Sequence, residues 1–277
     1  MYSISQLFIF PIKSLGGFEV SSAYITDRGL QFDRRWMLVD ECNVFLSQRN
    51  CPQMCLFQTA IQNNQLVVYS KNNIQDQLLL DLHPVSFEFC KVKVWEDVCE
   101  VIFVSDKADQ WFSEKLAKAC RLVFMPDSEK RQVDSLYAHK NELTSFSDGY
   151  PILMIGQASL DDLNSRLKQP LSWDRFRPNI VFTGGLPYDE DTMEHIRINS
   201  MRFYGVKLCS RCIITSIDQN TAVKGKEPNQ TLAAYRTINN NIYFGQNMLL
   251  QTPGVVEVGN KIEIINKTEP FIFQKNG

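Results

Sequence analysis

The chain has 277 residues, of which 44% are hydrophobic and 22% are charged, and its formal net charge at neutral pH is −2. This composition predicts an ordinary globular protein of one or two domains. It argues against general nucleic-acid binding, because a surface that binds phosphate backbones is basic. No apolar run approaches the roughly 20 residues of a membrane-spanning helix, and the N-terminus lacks the basic segment of a signal peptide.

Short apolar or alternating runs dominate the first hundred residues, and turn residues such as Gly16-Gly17 and Asn63-Asn64 separate them. Runs of this kind predict short β-strands. The predicted strands of this half cover residues 4–10, 18–25, 36–39, 56–61, 66–69, 78–82, 85–89 and 91–95.

Two later segments, residues 106–120 and 157–167, have helical spacing, and Ser159 or Asp162 could cap the start of the second. Together with the strands, they predict a mainly β protein with some α structure (α+β), built from two β-barrel-like lobes with a helical middle segment. Further strands are predicted at residues 180–182, 201–207, 212–217, 242–244 and 255–265, and the predicted domains are residues 1–100 and 101–277.

Eight cysteines lie at irregular intervals, and Cys209 and Cys212 form a CxxC pair. With no export signal, this spacing indicates reduced thiols in a cytoplasmic protein rather than a disulfide framework. Cys51 and Cys55 could complete a four-thiolate zinc site with the pair, although they lie far away along the chain. A redox pair requires a helix after the CxxC, whereas the residues that follow favour a strand. Simple burial as a small apolar side chain is a further alternative for Cys209.

Four compact polar motifs lie beside predicted strands: FPIKSLGG at 10–17, FDRRW at 32–36, FSDGYP at 146–151 and DRFRPNIV at 174–181. Their basic residues Lys13, Arg34 and Arg177, together with Arg211, could converge on one anion in a chain that is otherwise not basic. Gly149 and Ser210 would let the backbone approach that anion closely. Taken singly, each arginine could equally be a solvated surface charge.

These motifs occur in one order with ASLDDLNSRL, CSRCIITSIDQNT, KEPNQTLAAYR, FGQN and TPG. In that order the chain resembles MOSC-domain proteins that carry a MOSC N-terminal β-barrel domain, over essentially its whole length. Within that family it is similar to the mitochondrial amidoxime-reducing component and to the YcbX-type proteins. The membrane anchor of the former and the ferredoxin domain of the latter are expected to be absent.

The resemblance implies a molybdenum cofactor, Mo-molybdopterin, whose metal would be bound by one protein cysteine, Cys212. Asp148, beside the site, could assist protonation during catalysis. Gly149 and Tyr150 replace a threonine and a serine of the mitochondrial relatives, so backbone contacts are expected there. The cofactor contacts implied by the matching motifs are Lys13, Ser14, Arg34, Gly149, Tyr150, Arg177, Asn179, Ser210, Arg211 and Cys212.

The function implied by the resemblance is reduction of N-hydroxylated compounds such as amidoximes, hydroxylamines or N-hydroxylated bases. The sequence has neither the cysteine spacing of an iron–sulfur cluster nor a GxGxxG turn for a nicotinamide or flavin. A separate electron donor is therefore expected, either a ferredoxin or a cytochrome b5-like protein with its reductase. Two other functions stay open: a sulfur carrier with a persulfide on Cys212, and a molybdenum-cofactor-binding module without turnover.

Overall fold

The computed structural model describes residues 1–274 of the chain. Within those residues, strands arranged in four sheets account for most of the regular structure. The elements of the first half are β1 Tyr2–Ile9, β2 Phe18–Val20, β3 Ser22–Thr26, β4 Gly29–Leu30, β5 Trp36–Val39, β6 Phe57–Gln62, β7 Gln65–Ser70, β8 Asn73–Asp81, β9 Phe89–Val94, β10 Asp97–Phe103, α1 Asp106–Leu116 and β11 Arg121–Phe124.

The second half begins with β12 and contains the two shorter α-helices. Its elements are β12 Ile152–Gly156, α2 Gln157–Ser165, β13 Ile180–Thr183, β14 Met193–Ile198, β15 Met201–Ser210, α3 Asn229–Ala233, β16 Thr237–Ile238, β17 Asn241–Leu250, β18 Gly254–Glu257 and β19 Lys261–Lys267. Short 3-10 helices cover Pro52–Leu56, Trp173–Arg175, Asp189–Thr192 and Ile213–Ser216.

The largest sheet has the strand order β12-β13-β1-β19-β14-β15-β17-β16. Because β12 also pairs with β17, this sheet closes on itself as a barrel. Strand β1 lies between β13 and β19 in that barrel and also pairs with β2, so the start of the chain completes a sheet whose remaining members follow residue 151. The side chains of Leu7, Phe182 and Phe203 are fully or almost fully buried in its core.

Two smaller sheets, β5-β11-β10-β9 and β6-β7-β8, form the other part of the molecule, and β3, β4 and β18 form a fourth sheet. Helix α1 covers the small sheets and buries Phe112 against Trp36 and Phe57 in one apolar cluster. The prediction of a mainly β protein with barrel-like sheets and few helices is therefore confirmed. None of the helices found in residues 1–274 is long and apolar enough to cross a membrane.

Helix α1 begins as its sequence predicts, because Ser105 Oγ accepts a hydrogen bond from the Ala108 amide at 3.2 Å. The predicted cap of α2 is wrong. That helix follows Gly156 with no side-chain cap, and Ser159 Oγ instead donates to the buried Glu190 carboxylate at 2.8 Å.

Two predicted strands are also wrong. Residues 213–216 form a 3-10 helix, because the Cys212 carbonyl accepts hydrogen bonds from both the amide and the hydroxyl of Thr215. Residues 85–88 form no strand, and Val85 and Phe87 are almost fully exposed. The division at residue 100 stays a prediction, and the sheet of β5, β9, β10 and β11 contains strands from both sides of it.

Candidate functional site

A cavity of about 270 Å³ lies where the loops beside β1, β5, β12, β13 and β15 meet. Part of this convergence follows from strand direction. Strands β12 and β13 are parallel and β1 is antiparallel to β13, so the end of β1 meets the beginnings of the other two. All the residues predicted to form the site line this cavity: Lys13, Ser14, Arg34, Asp148, Gly149, Tyr150, Arg177, Asn179, Ser210, Arg211 and Cys212.

The cavity is strongly cationic. One lining residue, Asp148, is acidic, against seven basic side chains. In a chain with a net charge of −2, this concentration of positive charge is local and suits an anionic ligand. The basic residues are Lys13, Arg34, Arg49, Arg175, Arg177, Lys207 and Arg211.

Lys13 and Asp148 form an ion pair across the cavity wall, with Nζ 2.7 Å from Oδ1. The ammonium also donates to the Phe146 carbonyl at 2.8 Å. Desolvation in the cavity works against ionisation of Asp148, but the Lys13 charge, with smaller contributions from Arg49 and Arg34, holds its pKa well below the ordinary value. Asp148 is therefore ionised at neutral pH and acts as counter-ion to Lys13 in this arrangement.

Arg34 and Arg177 stack on the same ring. Their guanidinium carbons lie 4.5 and 4.3 Å from the Phe10 centroid, and Arg34 Nη2 donates to the Arg177 carbonyl at 3.0 Å. Arg34 is neutralised by Asp33, whereas Arg177 Nη2 is buried without a partner in the part of the chain described. Burial, and then the nearby Arg34 charge, lowers the pKa of Arg177. An anion in the cavity would relieve both the missing hydrogen bond and the unbalanced charge.

Arg211 holds the first cysteine of the CxxC pair. Its Nη1 lies 3.0 Å from Cys209 Sγ and its Nη2 donates to the Phe176 carbonyl at 2.7 Å. Its Nε is buried and has no partner among residues 1–274. Burial raises the pKa of the Cys209 thiol, against the influence of Arg211. Cys209 is half-buried: it packs against the apolar cluster beside α2 and also lines the cavity.

Cys212 is placed by hydrogen bonds to its own carbonyl, which accepts from Thr215 Oγ1 at 2.9 Å and from Asn229 Nδ2 at 3.0 Å. The sulfur lies on the cavity wall, where Arg49 Nη2 approaches it at 3.1 Å. Arg49 was not predicted from the sequence. It stands in the loop SQRN, which has no distinguishing pattern.

Three other predicted contacts differ in what they can offer a ligand. A Cβ added to Gly149 would meet no atom within 4 Å, so this backbone borders open space. Tyr150 stacks edge-on against Tyr137, with ring centroids 5.9 Å apart. The Asn179 amide is already used, because Nδ2 donates to the Phe8 carbonyl and Oδ1 accepts from the Leu153 amide. Asn179 therefore joins β1 to β12, and a role in ligand binding stays a prediction.

The donor set fits a cofactor that carries its own metal ligands and an anionic group. Two cysteines line the cavity, Cys209 and Cys212, and each offers a soft sulfur ligand. Arg49, Arg177 and Arg211 also line it, and each has one buried guanidinium nitrogen without a partner among the described residues. No group of three or more histidine, cysteine or acidic side chains in residues 1–274 is arranged to hold a metal ion. The four-thiolate zinc alternative accordingly has no counterpart in the described residues.

Comparison with known families agrees with this architecture. The MOSC N-terminal beta barrel domain matches residues 1–119 and the MOSC domain matches residues 141–263. The chain therefore belongs to the family of MOSC-domain proteins that carry a MOSC N-terminal β-barrel domain, and the resemblance found in the sequence is confirmed.

Characterised relatives cover nearly the whole chain. Mitochondrial amidoxime-reducing component 1 of Mus musculus is 31% identical, over 96% of this chain and 83% of its own length. The Homo sapiens protein of that name is 32% identical over the same shares of both chains. Molybdenum cofactor sulfurase of Oryza sativa subsp. japonica is also 32% identical, over 93% of this chain but 33% of its own length. The chain is thus related to amidoxime-reducing components and to a molybdenum cofactor sulfurase.

Proposed function

We propose that this protein is a molybdenum-cofactor-dependent reductase of N-hydroxylated compounds: amidoximes, hydroxylamines or N-hydroxylated bases. One observation carries the proposal most directly. Cys212 borders a cavity that Arg49, Arg177 and Arg211 also line, and each of these arginines has one buried guanidinium nitrogen without a partner among the described residues. That combination suits a metal with an attached anion.

In the proposed complex, Cys212 would bind the molybdenum, and the cofactor would pass two electrons from the external donor to the N–O bond. With two protons, the oxygen of the N–OH group would leave as water and the amine or amidine would remain. Arg34, Arg177 and Arg211 would hold the anionic groups of the pterin, and the Lys13 charge is balanced by Asp148. Because Asp148 is ionised, a role as proton donor requires a substrate or cofactor that raises its pKa. The proposed contacts remain Lys13, Ser14, Arg34, Gly149, Tyr150, Arg177, Asn179, Ser210, Arg211 and Cys212.

The substrate class and the need for an electron donor come from the relatives named amidoxime-reducing components. A ferredoxin or cytochrome b5-like protein with its reductase would supply electrons. We also propose a cytoplasmic location, which suits eight free cysteines, and a division into domains at residue 100.

The test combines metal analysis with turnover. Purified protein should contain close to one molybdenum atom per chain and reduce benzamidoxime to benzamidine when reduced methyl viologen is the donor. If the protein contains molybdenum at that level but shows no turnover with any donor, the reductase proposal is rejected and the protein is a cofactor-binding module.

A sulfur carrier is the second candidate, favoured by the similarity to molybdenum cofactor sulfurase. In that case Cys212 would carry a persulfide in the same cavity. Intact-protein mass spectrometry would then show a 32 Da addition, abolished by dithiothreitol and by Cys212→Ser, in protein without molybdenum.

A further inference from the structure

The loop after β5 brings one more charged residue to the cavity. Arg49 Nη2 approaches Cys212 Sγ at 3.1 Å, although 163 positions separate the two residues. The guanidinium carbon lies 4.4 Å from the centroid of the Trp95 ring. Because a stacked guanidinium has a fixed plane, the directions of its N–H groups are fixed as well.

Trp95 is itself held in place. Its φ of 57° lies in the left-handed region, which is uncommon for a bulky residue. Such a conformation costs free energy and persists only where surrounding contacts enforce it. The ring packs against Phe45, with centroids 5.0 Å apart, and Lys13 Nζ lies 5.8 Å from its centroid. The surface on which Arg49 stacks is therefore a fixed part of the site.

The backbone of the loop is anchored to the segment that follows Cys212. Gln48 and Gln219 form a reciprocal pair of amide hydrogen bonds of 3.2 and 3.0 Å, and both side chains are buried. Lys224 Nζ donates to the Arg49 carbonyl at 3.2 Å. These hydrogen bonds, made by residues next to the Arg49–Cys212 contact, hold the Arg49 loop and the segment after Cys212 in fixed positions relative to each other.

We propose that Arg49 is a positioning residue for Cys212. It holds the sulfur in the direction in which it binds the metal, and its positive charge balances the negative charge of a metal-binding sulfur. Lysine cannot substitute, because an ammonium lacks the planar fork that stacks on Trp95 while donating to Cys212. This inference rests on the proposed function, in which Cys212 is the metal ligand.

The test uses Arg49→Gln and Arg49→Lys in the cofactor-loaded full chain. Two readouts are compared with wild type: molybdenum per chain during extended dialysis, and the electron paramagnetic resonance spectrum of the partially reduced metal. Both variants should lose molybdenum about tenfold faster, the scale of one charge-assisted hydrogen bond, and should show a shifted spectrum. The thermal midpoint of the cofactor-free protein should stay close to that of wild type.

Arg121→Gln is the matched control. Arg121 also lies over an aromatic ring, that of Phe103, but it is outside the cavity and forms ion pairs with Asp109 and Glu88. It should lower the thermal midpoint and retain the metal. If metal loss in the Arg49 variants instead follows a lowered midpoint, Arg49 has a merely structural role and the inference is overturned.

Two further outcomes separate this inference from the function beneath it. Arg49→Gln protein that keeps metal and spectrum, while Cys212→Ser loses the metal, overturns the role of Arg49 and leaves the proposed function standing. Wild-type protein that binds no molybdenum overturns the proposed function, and the inference with it.

Discussion

Cys209 and Cys212 stand three positions apart and meet different arginines. Both line the cavity, but Arg211 approaches the Cys209 sulfur, which also packs against an apolar cluster, while Arg49 approaches the Cys212 sulfur. The two thiols therefore provide a matched pair of positions for testing which sulfur binds the metal.

Cys212→Ser should abolish both molybdenum content and benzamidoxime reduction, because one thiolate is needed on the metal. Cys209→Ser should retain most of both, since its thiol is a packing contact. Metal content and viologen-dependent turnover would be measured on the same preparations, with folding checked by circular dichroism. Equal loss in two folded variants would exclude assignment of a single ligand.

A second residue-level prediction concerns Arg177, whose Nη2 is buried without a partner in the described chain. Arg177→Ala should lower cofactor content about tenfold or more, because a charge-assisted hydrogen bond contributes about 1.5–3 kcal/mol. Arg166→Ala is the control, since Arg166 follows helix α2, has a half-exposed side chain, pairs with Asp162 and does not line the cavity. If Arg177→Ala and Arg166→Ala have the same cofactor occupancy, Arg177 does not bind the cofactor and has a packing role alone.

Every residue predicted for the site lines the cavity, because each lies in a short motif next to a strand. Arg49, Arg175 and Lys207 line it too and were not predicted. The sequence did not predict how these residues pair. The Asn179 side-chain amide forms hydrogen bonds with backbone groups of two strands. Arg49 contacts Cys212 because the fold brings together residues that are distant in the sequence. Contacts across long sequence separations follow from the assembled sheets, and no local pattern encodes them.

Among the elements, the 3-10 helix Asp189–Thr192 contains two neighbouring acids, Glu190 and Asp191, that are almost fully buried. Burial, and then repulsion between the pair, raises the pKa of Glu190 above the ordinary carboxyl value. Burial likewise raises the pKa of Asp191, although Arg236 opposes the shift through a 2.7 Å ion pair. The folded protein accordingly binds protons here more tightly than the unfolded chain.

This raised pKa fixes the sign of a pH effect on stability. The free energy that the buried Glu190 carboxyl contributes to stability is fully present below the unfolded carboxyl pKa, about 4.3 for glutamate. It is lost as the pH rises from there through the higher folded value. Wild type should therefore lose stability from this site between pH 5 and pH 8, and Glu190→Gln should lose less. Urea midpoints at both pH values measure the difference, with exposed Glu257→Gln as control. An identical pH dependence in wild type and Glu190→Gln would contradict the assignment.

Elements with strong local signals were predicted well, and those set by tertiary contacts were not. Helix α1 has apolar spacing and begins where expected, at Asp106, but it ends at Leu116 rather than at residue 120, because Ala117 takes a left-handed conformation. The β-branched run after Cys212 predicted a strand, but Thr215 and Asn229 bind the Cys212 carbonyl and turn the chain into a 3-10 helix. At this position the hydrogen bonds to the Cys212 carbonyl outweigh the strand propensity of the β-branched residues, and the same bonds position the Cys212 sulfur.

For the whole molecule, one candidate redox-metal ligand has been found, and no sequence pattern for a nicotinamide, a flavin or an iron–sulfur cluster. The purified protein with NADH or NADPH alone should therefore not reduce N-hydroxylated substrates. Activity should appear with reduced viologen, or with a ferredoxin-type or cytochrome b5-like partner and its reductase. Substrate disappearance followed by chromatography is the measurement. Steady turnover with NADH alone would reveal a redox site that neither sequence nor fold has indicated.

The fold class was predictable because many short strands with turn residues between them leave few architectures. The membership of each sheet was not, since Tyr2 pairs with Ile262 and Leu7 with Ile180. The two β-barrel-like lobes follow from local patterning, whereas the place of strand β1 between β13 and β19 is known only from the structure.

That strand has a consequence for synthesis on the ribosome. Strand β1 leaves the exit tunnel first, but its barrel neighbour β13 is translated well after the midpoint of the chain and its other barrel neighbour, β19, is the last strand of all in residues 1–274. At about 5–20 residues per second, its apolar side chains wait on the order of tens of seconds for their sheet. During that time Ile4 and Leu7, which end almost fully buried, have to be shielded by provisional contacts or by a chaperone. Completion of this barrel is a post-translational event, timed by the appearance of β19.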